Sequence, residues 1–222
     1  MKDLKQELKQ EDKNKNYGSV TLPSDFSYSI APRAIEWLRK YNITDEEINR
    51  ERFGWSDSKQ YLVFPVFDLY DNLLLWQGRY FGPNEAHPRF FTSGTPETVF
   101  HILDAKGRLD IRDGAVWSSN CVLLVEDYLS AVKVGRQFPA MPLFGSEISL
   151  DRIRKLSGHV TSLVIWLDRD KLKSAVKARF KALAYFTTVS VIVADKDPKE
   201  YDDERIRQFV SRSRADDLGF SC

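Results

Sequence analysis

The chain has 222 residues, and its 33 lysines and arginines against 32 aspartates and glutamates give a formal net charge of +1. Hydrophobic residues make up 42% and aromatic residues 13% of the chain, which is enough for a sizeable core and excludes global disorder. The near-neutral total gives no electrostatic evidence for or against a nucleic-acid partner, so any basic surface must come from an uneven distribution of charge.

Cysteine content and hydropathy favour a cytoplasmic protein. Cys121 and Cys222 are the only cysteines, and neither lies in a CxxC pair. This excludes a multi-cysteine zinc site within the chain and favours a reducing compartment. No apolar run approaches the roughly 20 residues that span a bilayer, and the N-terminal stretch is too charged for a signal peptide. We therefore expect no zinc, no membrane association and a cytoplasmic location.

The first half of the chain predicts a polar arm followed by a small α+β subdomain. Residues 1–20 are rich in Lys, Glu, Gln, Asp and Asn, which predicts a mobile arm. The subdomain is expected over residues 21–115. One helix should begin near Pro32, and a second should be capped by Thr44 and Glu47, which have the spacing of a capping box. Strands are expected at residues 61–67 and 73–80.

From about residue 116 the chain alternates between strands and helices. Strands are expected at residues 121–125, 141–144, 162–167 and 189–194. Helices are expected at residues 127–138, 150–156 and 171–186, and from about residue 202. The third of these helices should bury an apolar face formed by Leu172, Ala175, Val176, Phe180, Leu183 and Ala184. Such alternation predicts an α/β fold with a parallel sheet flanked by helices over residues 116–222.

Acidic residues follow three of these strands. Glu126 follows the first, Asp168 and Asp170 follow the third, and Asp195 and Asp197 follow the fourth. Because the carboxyl ends of parallel strands lie at one edge of a sheet, these acids are expected to converge. Converging carboxylates repel one another unless a cation neutralises them, and oxygen ligands suit Mg²⁺. For the DxD pair alone, a solvated loop or a helix N-cap is the simpler interpretation.

Three segments of the second half resemble the Toprim domain, a fold shared by topoisomerases, bacterial and phage primases, and some nucleases. They are Val122–Ala131, Phe144-Gly145-Ser146 and Val164–Asp170. The Toprim motif is a strand ending in Glu and Gly, a glycine turn after the second strand, and a DxD after the third. The resemblance implies that Glu126, Asp168 and Asp170 are catalytic and hold divalent metal. It also implies that Asp197 is a further metal ligand, as in primase members.

The first half narrows the resemblance to the RNA-polymerase core of bacterial- and phage-type DNA primases. The similar segments are residues 61–68, Gln77-Gly78-Arg79 and residues 88–101. In these primases the subdomain that precedes Toprim carries an arginine on a strand pair, and a Pro-Lys-Tyr-like turn comes before a Ser-Pro-Glu-Thr-like stretch. The resemblance implies that Arg79 and Arg89 bind nucleotide or template, since a guanidinium can hold phosphate in bidentate fashion. Ordinary surface arginines are the alternative.

Four positions depart from the family pattern. Asp127 replaces the usual glycine after the glutamate, Ser130 replaces an aspartate, Lys173 replaces a glycine after the DxD, and Arg89 replaces a lysine. The change at Ser130 weakens the predicted metal set, although Asp127 could offset it in charge. The zinc-binding module of primases and a GxxxxGK[ST] phosphate loop are both missing. A zinc module and a helicase are therefore expected, if at all, as separate proteins.

The resemblance implies a nucleotidyltransferase that makes short RNA primers on single-stranded DNA from nucleoside triphosphates. It would use two or more Mg²⁺ or Mn²⁺ ions, which can activate the 3′-hydroxyl and neutralise the leaving pyrophosphate. Phe90 and Phe91 are expected to pack in the core rather than to stack on a base. Two alternatives remain: a nucleic-acid-binding replication module with an eroded site, and a Toprim nuclease. The short design suggests a phage or mobile-element protein, which would act in the host cytoplasm.

Overall fold

A computed structural model describes residues 20–68, 70–104, 107–110 and 120–217. The predicted mobile arm, apart from residue 20, and the predicted boundary at residues 115–116 lie outside this part of the chain. The helices are α1 (Pro32–Lys40), α2 (Asp45–Arg50), α3 (Tyr128–Gly135), α4 (Leu150–Ser157), α5 (Leu172–Ala182) and α6 (Asp203–Asp217). The strands are β1 (Gly54–Ser56), β2 (Tyr61–Phe67), β3 (Leu73–Tyr80), β4 (Phe90–Ser93), β5 (His101–Asp104), β6 (Gly107–Asp110), β7 (Cys121–Val125), β8 (Ala140–Pro142), β9 (Ser162–Trp166) and β10 (Thr188–Val191).

The first sheet is antiparallel, with strand order β1-β2-β3-β4. Successive side chains of β2 point to opposite faces, as the pleat of a strand requires. Leu62 and Phe64 pack in the main core with α1, whereas Tyr61 and Val63 pack on the other face. Where β3 pairs with β4, Arg79 of β3 lies opposite Phe90 of β4. The sheet therefore brings an arginine and an aromatic ring together on one edge.

A capping box begins α2, as the sequence predicts. The backbone N–H of Glu47 donates to the Thr44 hydroxyl, and the N–H of Thr44 donates to the Glu47 carboxylate at 2.9 Å. The same carboxylate accepts hydrogen bonds from Nε and Nη2 of Arg136, at 2.7 and 2.8 Å. Arg136 caps the C-terminus of α3. Glu47, in the first turn of α2, therefore also links the first half of the chain to the second half.

The second sheet has six strands in the order β10-β9-β7-β8-β5-β6. Its four strands β10, β9, β7 and β8 are parallel to one another, which confirms the predicted parallel sheet flanked by helices. The β5–β6 hairpin extends this sheet, because β5 pairs with β8 at Leu103 and Ala140. Residues 101–110 were expected in the N-terminal subdomain. The change from one sheet to the other therefore falls between Ser93 and His101, before the predicted boundary.

Helices cover both faces of the parallel strands. Alternate residues Leu123 and Val125 of β7 share a core with α3, α6 and the first sheet, and Val122 and Leu124 face a second core with α4 and α5. The two sheets are also joined through Tyr128, whose hydroxyl donates to the buried Glu51 carboxylate at 2.8 Å. The first sheet consequently lies against the side of the parallel sheet that carries α3.

The predicted apolar face of α5 is correct at Ala175 and wrong for its larger residues. The helix buries Ala175, Ala178 and Ala182 against β9 and β10, because small side chains let it lie close to the sheet. The larger apolar residues point outward, with Phe180 67% exposed. The others that are exposed are Leu172, Val176 and Leu183.

Within the described residues, no helix is both long enough and apolar enough to cross a membrane.

Candidate metal and nucleotide-binding cleft

A cleft of about 450 Å³ lies where the two sheets meet. Its walls include the acids Glu126, Asp127, Asp168, Asp197 and Glu200, the cations Arg79, Arg89 and Lys199, and the rings of Trp37, Tyr41, Phe90 and Phe144. Phe144 has a positive φ of 58°, which is unusual for a residue other than glycine. Residues with such strained backbone angles are often found at functional sites. The next residue, Gly145, leaves open space where a Cβ would point. The cleft therefore offers room between carboxylates on one wall and arginines on the other.

Three of the four predicted metal ligands reach this cleft. Glu126 comes directly after β7, Asp168 lies two residues after β9, and Asp197 lies six residues after β10. The strands are parallel neighbours in the order β10-β9-β7, so their carboxyl ends lie at one edge of the sheet. β10 ends at Val191, three residues earlier than expected, so a longer segment carries Asp197 to the cleft.

Asp170, the fourth predicted ligand, does not line the cleft. The strand ends at Trp166, and residues Arg169–Lys171 form a 3-10 turn, so strand alternation no longer determines where the side chain points. Its side chain is 69% exposed and pairs with Lys171. Asp170 still acts on the cleft through its charge, because it contributes to raising the pKa of Glu126. Asp195 accepts a hydrogen bond from the Tyr201 hydroxyl outside the cleft.

Two acids of the cleft, Asp168 and Glu126, have pKa values raised above the ordinary range. Burial raises the pKa of Asp168 to about 8, against the opposing charge of Lys199, and the carboxylate of Glu126 adds to the rise. Burial also raises the pKa of Glu126, and neighbouring carboxylates, including Asp197, add to the effect. Oδ1 of Asp168 and Oε2 of Glu126 are buried without a hydrogen-bond partner. Unpartnered buried carboxylate oxygens are costly for the fold, and a cation between the strand ends would satisfy them.

Lys199 is a cleft residue for which the sequence predicts no role. Its ammonium donates to Oδ2 of Asp127 at 2.7 Å and to Oδ2 of Asp197 at 2.8 Å. Burial alone would lower the pKa of Lys199, but Asp127 and Asp197 raise it above its ordinary value. The sequence signal for this contact is the pair of opposite charges at Asp197 and Lys199, two positions apart, just after the last strand.

Asp127 is already engaged by the protein around it. It caps α3, where Oδ1 accepts from the backbone N–H of Ser130 at 2.9 Å and Oδ2 accepts from the Ser130 hydroxyl at 3.0 Å. The departures at Asp127 and Ser130 are thus hydrogen-bonded to each other, and Lys199 completes the set. Lys173, another departure, lies on the exposed side of α5. Asp127 therefore matches the lost charge at position 130 without being free to bind an ion.

Arg79 lies among aromatic rings on the opposite wall. Its guanidinium carbon is 5.0 Å from the ring centre of Trp37, 5.1 Å from that of Phe90 and 5.7 Å from that of Phe81. Burial lowers the pKa of Arg79, and the positive charge of Arg89 lowers it further. No described acid forms a salt bridge with Arg79 within 4 Å. A guanidinium that lies among aromatic rings, with no ion-pair partner in the described residues, can receive an anion from the cleft.

Phe90 and Phe91 are not core residues, contrary to expectation. Phe90 is 36% exposed and Phe91 47% exposed, because β4 is the edge strand of the first sheet. Phe90 faces Arg79 in the cleft, while Phe91 stacks on Tyr61 with ring centres 6.2 Å apart. Arg89 is exposed at the mouth of the same wall. The predicted nucleotide-binding arginines therefore share one side of the cleft with an aromatic surface.

The donors on the acidic wall fit a divalent cation only in part. No three His, Cys, Asp or Glu side chains of the described residues are arranged to hold an ion together. Glu126 and Asp168, which line the cleft, do each carry a buried carboxylate oxygen without a hydrogen-bond partner in the described residues. Mg²⁺ is usually held by one or two carboxylates together with waters and substrate phosphates rather than by an all-protein cage. Glu126 and Asp168 meet that requirement, and Asp170 is close enough to join them electrostatically.

Metal binding is expected to tighten with pH up to about 8. Because the pKa of Asp168 is raised to about 8, the carboxyl holds a proton at neutral pH, and an ion must displace it. Each pH unit below 8 should weaken Mn²⁺ binding by up to about tenfold, with release of up to about one proton. The folded state holds this proton more tightly than the unfolded state, so the metal-free protein should lose stability as pH rises from about 4 to 8.

Calorimetric titration with Mn²⁺ between pH 6 and 9 measures this dependence, and Asp168→Asn should remove it. A dissociation constant that stays the same between pH 6 and 8 would contradict the assignment.

Solved primase cores have similar folds. The structure of the DnaG catalytic core matches with a TM-score of 0.64 at 16% identity, over 83% of this chain and 74% of that chain. The DnaG primase catalytic domain bound to ssDNA matches with a TM-score of 0.63 at 18% identity, over 96% and 80%. The primase fragment of the bacteriophage T7 primase-helicase protein matches with a TM-score of 0.52 at 14% identity, over 92% and 84%. No family model and no curated protein sequence matches the chain.

The chain is thus a mixed α/β protein whose parallel sheet and flanking helices carry acids at the strand ends. More particularly, it has the fold of the catalytic core of DnaG-type primases. At these sequence identities the likeness shows the fold alone.

Proposed function

We propose that the chain is a DNA primase core, a DNA-directed RNA polymerase that makes short primers on single-stranded DNA. The observation that carries the proposal is the cleft itself, in which carboxylates from parallel strand ends face an arginine held by aromatic rings. The fold shared with DnaG catalytic cores supports this function over other uses of an acidic cleft. One wall suits a metal ion, and the other suits the phosphates that the ion would contact.

The residues of the chain have distinct roles in this proposal. Glu126 and Asp168 would hold Mg²⁺ or Mn²⁺, while Asp170 and Asp197 would act on the ion through their charge. Bound ions would supply charge neutralisation for the attacking 3′-oxygen and for the leaving pyrophosphate. Arg79 would bind the triphosphate, because its guanidinium lies among aromatic rings and forms no salt bridge with an acid of the described residues.

We assign template binding to Arg89 and Phe90, at the outer part of the cleft wall that also carries Arg79. Arg89 is exposed at the mouth of the cleft next to Phe90. A cation beside an exposed ring suits single-stranded nucleic acid, which pairs backbone charge with base stacking. One of the similar structures is a DnaG domain bound to ssDNA, and another is a fragment of a primase-helicase protein. We propose single-stranded DNA as template, a separate helicase and zinc-module protein as partners, and the cytoplasm, or the host cytoplasm for a phage protein, as location.

Primer synthesis on a single-stranded template with labelled ribonucleotides tests the proposal. We expect short RNA products that require Mg²⁺ or Mn²⁺. DNA cleavage without nucleotides would instead favour a Toprim-like nuclease. Template binding without products in either metal would favour a replication module with an eroded site. Two observations are consistent with that alternative: Lys199 occupies Asp127, and Asp170 is exposed and pairs with Lys171. Either of these two results would overturn the primase assignment.

A further inference from the structure

The acidic wall of the cleft has two unlike halves. In one half, Asp127 and Asp197 each give an oxygen to the Lys199 ammonium, at 2.7 and 2.8 Å. In the other half, Glu126 and Asp168 each keep a buried oxygen without a partner. Lys199 therefore supplies a positive charge directly to the half formed by Asp127 and Asp197. In the half formed by Glu126 and Asp168, the unpartnered oxygens could receive a cation.

The position of Lys199 is determined by the fold rather than by a flexible surface chain. It lies in the 3-10 turn Pro198–Glu200, which packs against α3, and only 7% of the residue is exposed. Asp127, its partner, is itself held by two hydrogen bonds to Ser130. Moving the ammonium out of the cleft would leave the buried carboxylate of Asp127 and the partly buried carboxylate of Asp197 without this counter-charge, which is unfavourable. Lys199 is consequently a permanent cation of the site.

We propose that Lys199 takes the place of one divalent ion, so that the cleft binds a single Mg²⁺ or Mn²⁺ at the half formed by Glu126 and Asp168. The inference rests on the metal site of the proposed function and changes its expected ion count from two or more to one. The ammonium offsets one of the two negative charges of Asp127 and Asp197, occupies an oxygen of each, and repels a second dication from them. In the reaction, its fixed charge would assist the bound ion in stabilising phosphate charge near Asp197.

Counting bound Mn²⁺ on the full chain tests this directly. Electron paramagnetic resonance of free Mn²⁺ during a titration at pH 8.5 should give one ion per chain for the unmodified protein. Lys199→Met, which removes the charge and keeps most of the volume, should give two. Lys196→Met serves as the matched control, because Lys196 is an exposed lysine three positions away in the same segment, and it should give one.

Thermal unfolding provides a second measurement that needs no activity. Lys199→Met should melt lower than the unmodified protein without metal, and saturating Mn²⁺ should raise its melting temperature more than that of the unmodified protein. A variant that folds only when Mn²⁺ is present would support the proposal in the same way. If the variant does not fold at all, the ion count of the unmodified chain decides.

The outcomes separate this inference from the proposed function. Two Mn²⁺ ions on the unmodified chain, or one ion on a folded Lys199→Met variant, would overturn the inference while leaving primer synthesis intact. No Mn²⁺ on any variant would overturn the metal site of the proposed function, and the inference with it.

Discussion

Asp168→Asn is expected to lower the rate of primer synthesis by at least about 100-fold. Asp168 is a partly buried acid that lies two residues after β9 and lines the cleft, and its Oδ1 is buried without a hydrogen-bond partner in the described residues. Metal-ion catalysis contributes several kcal/mol to a reaction of this kind, and every ~1.4 kcal/mol corresponds to a factor of ten in rate. An amide has the same shape but lacks the charge that holds a cation, so most of that contribution should be lost.

Stability distinguishes this loss from unfolding. Because the pKa of Asp168 is raised to about 8, the ionised carboxylate is unfavourable in the metal-free fold at pH 8.5. Asp168→Asn removes that charge, so without metal at this pH the variant should melt at the same temperature as the unmodified protein or higher. A variant that is inactive yet equally stable would support a direct role for the carboxylate.

Asp151→Asn is the matched control for this substitution. Asp151 is an exposed acid on α4 that pairs with Lys155 within its own helix at 2.7 Å. Exposed pairs of this kind contribute little, about 0.3–0.5 kcal/mol, so the rate should stay within about twofold. Equal rates for Asp168→Asn and Asp151→Asn, measured from labelled primers on the same template, would refute the catalytic assignment.

Arg79→Lys is expected to raise the KM for nucleoside triphosphates by about 10- to 100-fold. Hydrogen bonds that involve a charged group contribute about 1.5–3 kcal/mol, which corresponds to that range. Lysine keeps the charge but lacks the planar group that the rings of Trp37 and Phe90 orient. The substitution should therefore weaken nucleotide binding although the total charge is unchanged.

Arg33→Lys provides a closely matched control. The Arg33 guanidinium also lies over a tryptophan, 5.4 Å from the ring centre of Trp55, but Arg33 is exposed and does not line the cleft. Its replacement should leave KM unchanged within about twofold, as for surface substitutions generally. Steady-state primer synthesis at varied nucleotide concentration measures both variants. A similar KM for the two would show that Arg79 has a packing role only.

Much of the fold follows from local sequence patterns. The apolar run of β7 and the alternation of strands with helices predict the parallel sheet, which the structure confirms. The hydroxyl and carboxylate of Thr44 and Glu47 predict the start of α2, since a capping box depends only on residues three positions apart. Elements of this kind are predictable because their determinants lie within a few residues of one another.

Features that depend on distant partners were predicted less well. The β5–β6 hairpin joins the parallel sheet through a pairing with β8 some 37 residues along the chain, at Leu103 and Ala140. The outward face of α5 carries Phe180 because the sheet selects a row of alanines for close contact. The hydrophobicity of Leu172, Val176, Phe180 and Leu183 predicts that they are buried. The face of α5 that is buried instead carries alanines, because they fit the space above β9 and β10.

Within the cleft, the acids that follow three parallel strands and the arginine on the preceding hairpin are predictable from the order of residues along the chain. Which of these side chains lie together depends on how the elements pack. The 3-10 turn after β9 directs Asp170 outward, and the turn after Asp197 inserts Lys199 between Asp197 and Asp127. The physical reason is that strand order places side chains at one edge, whereas the charge balance among them depends on which groups are buried together.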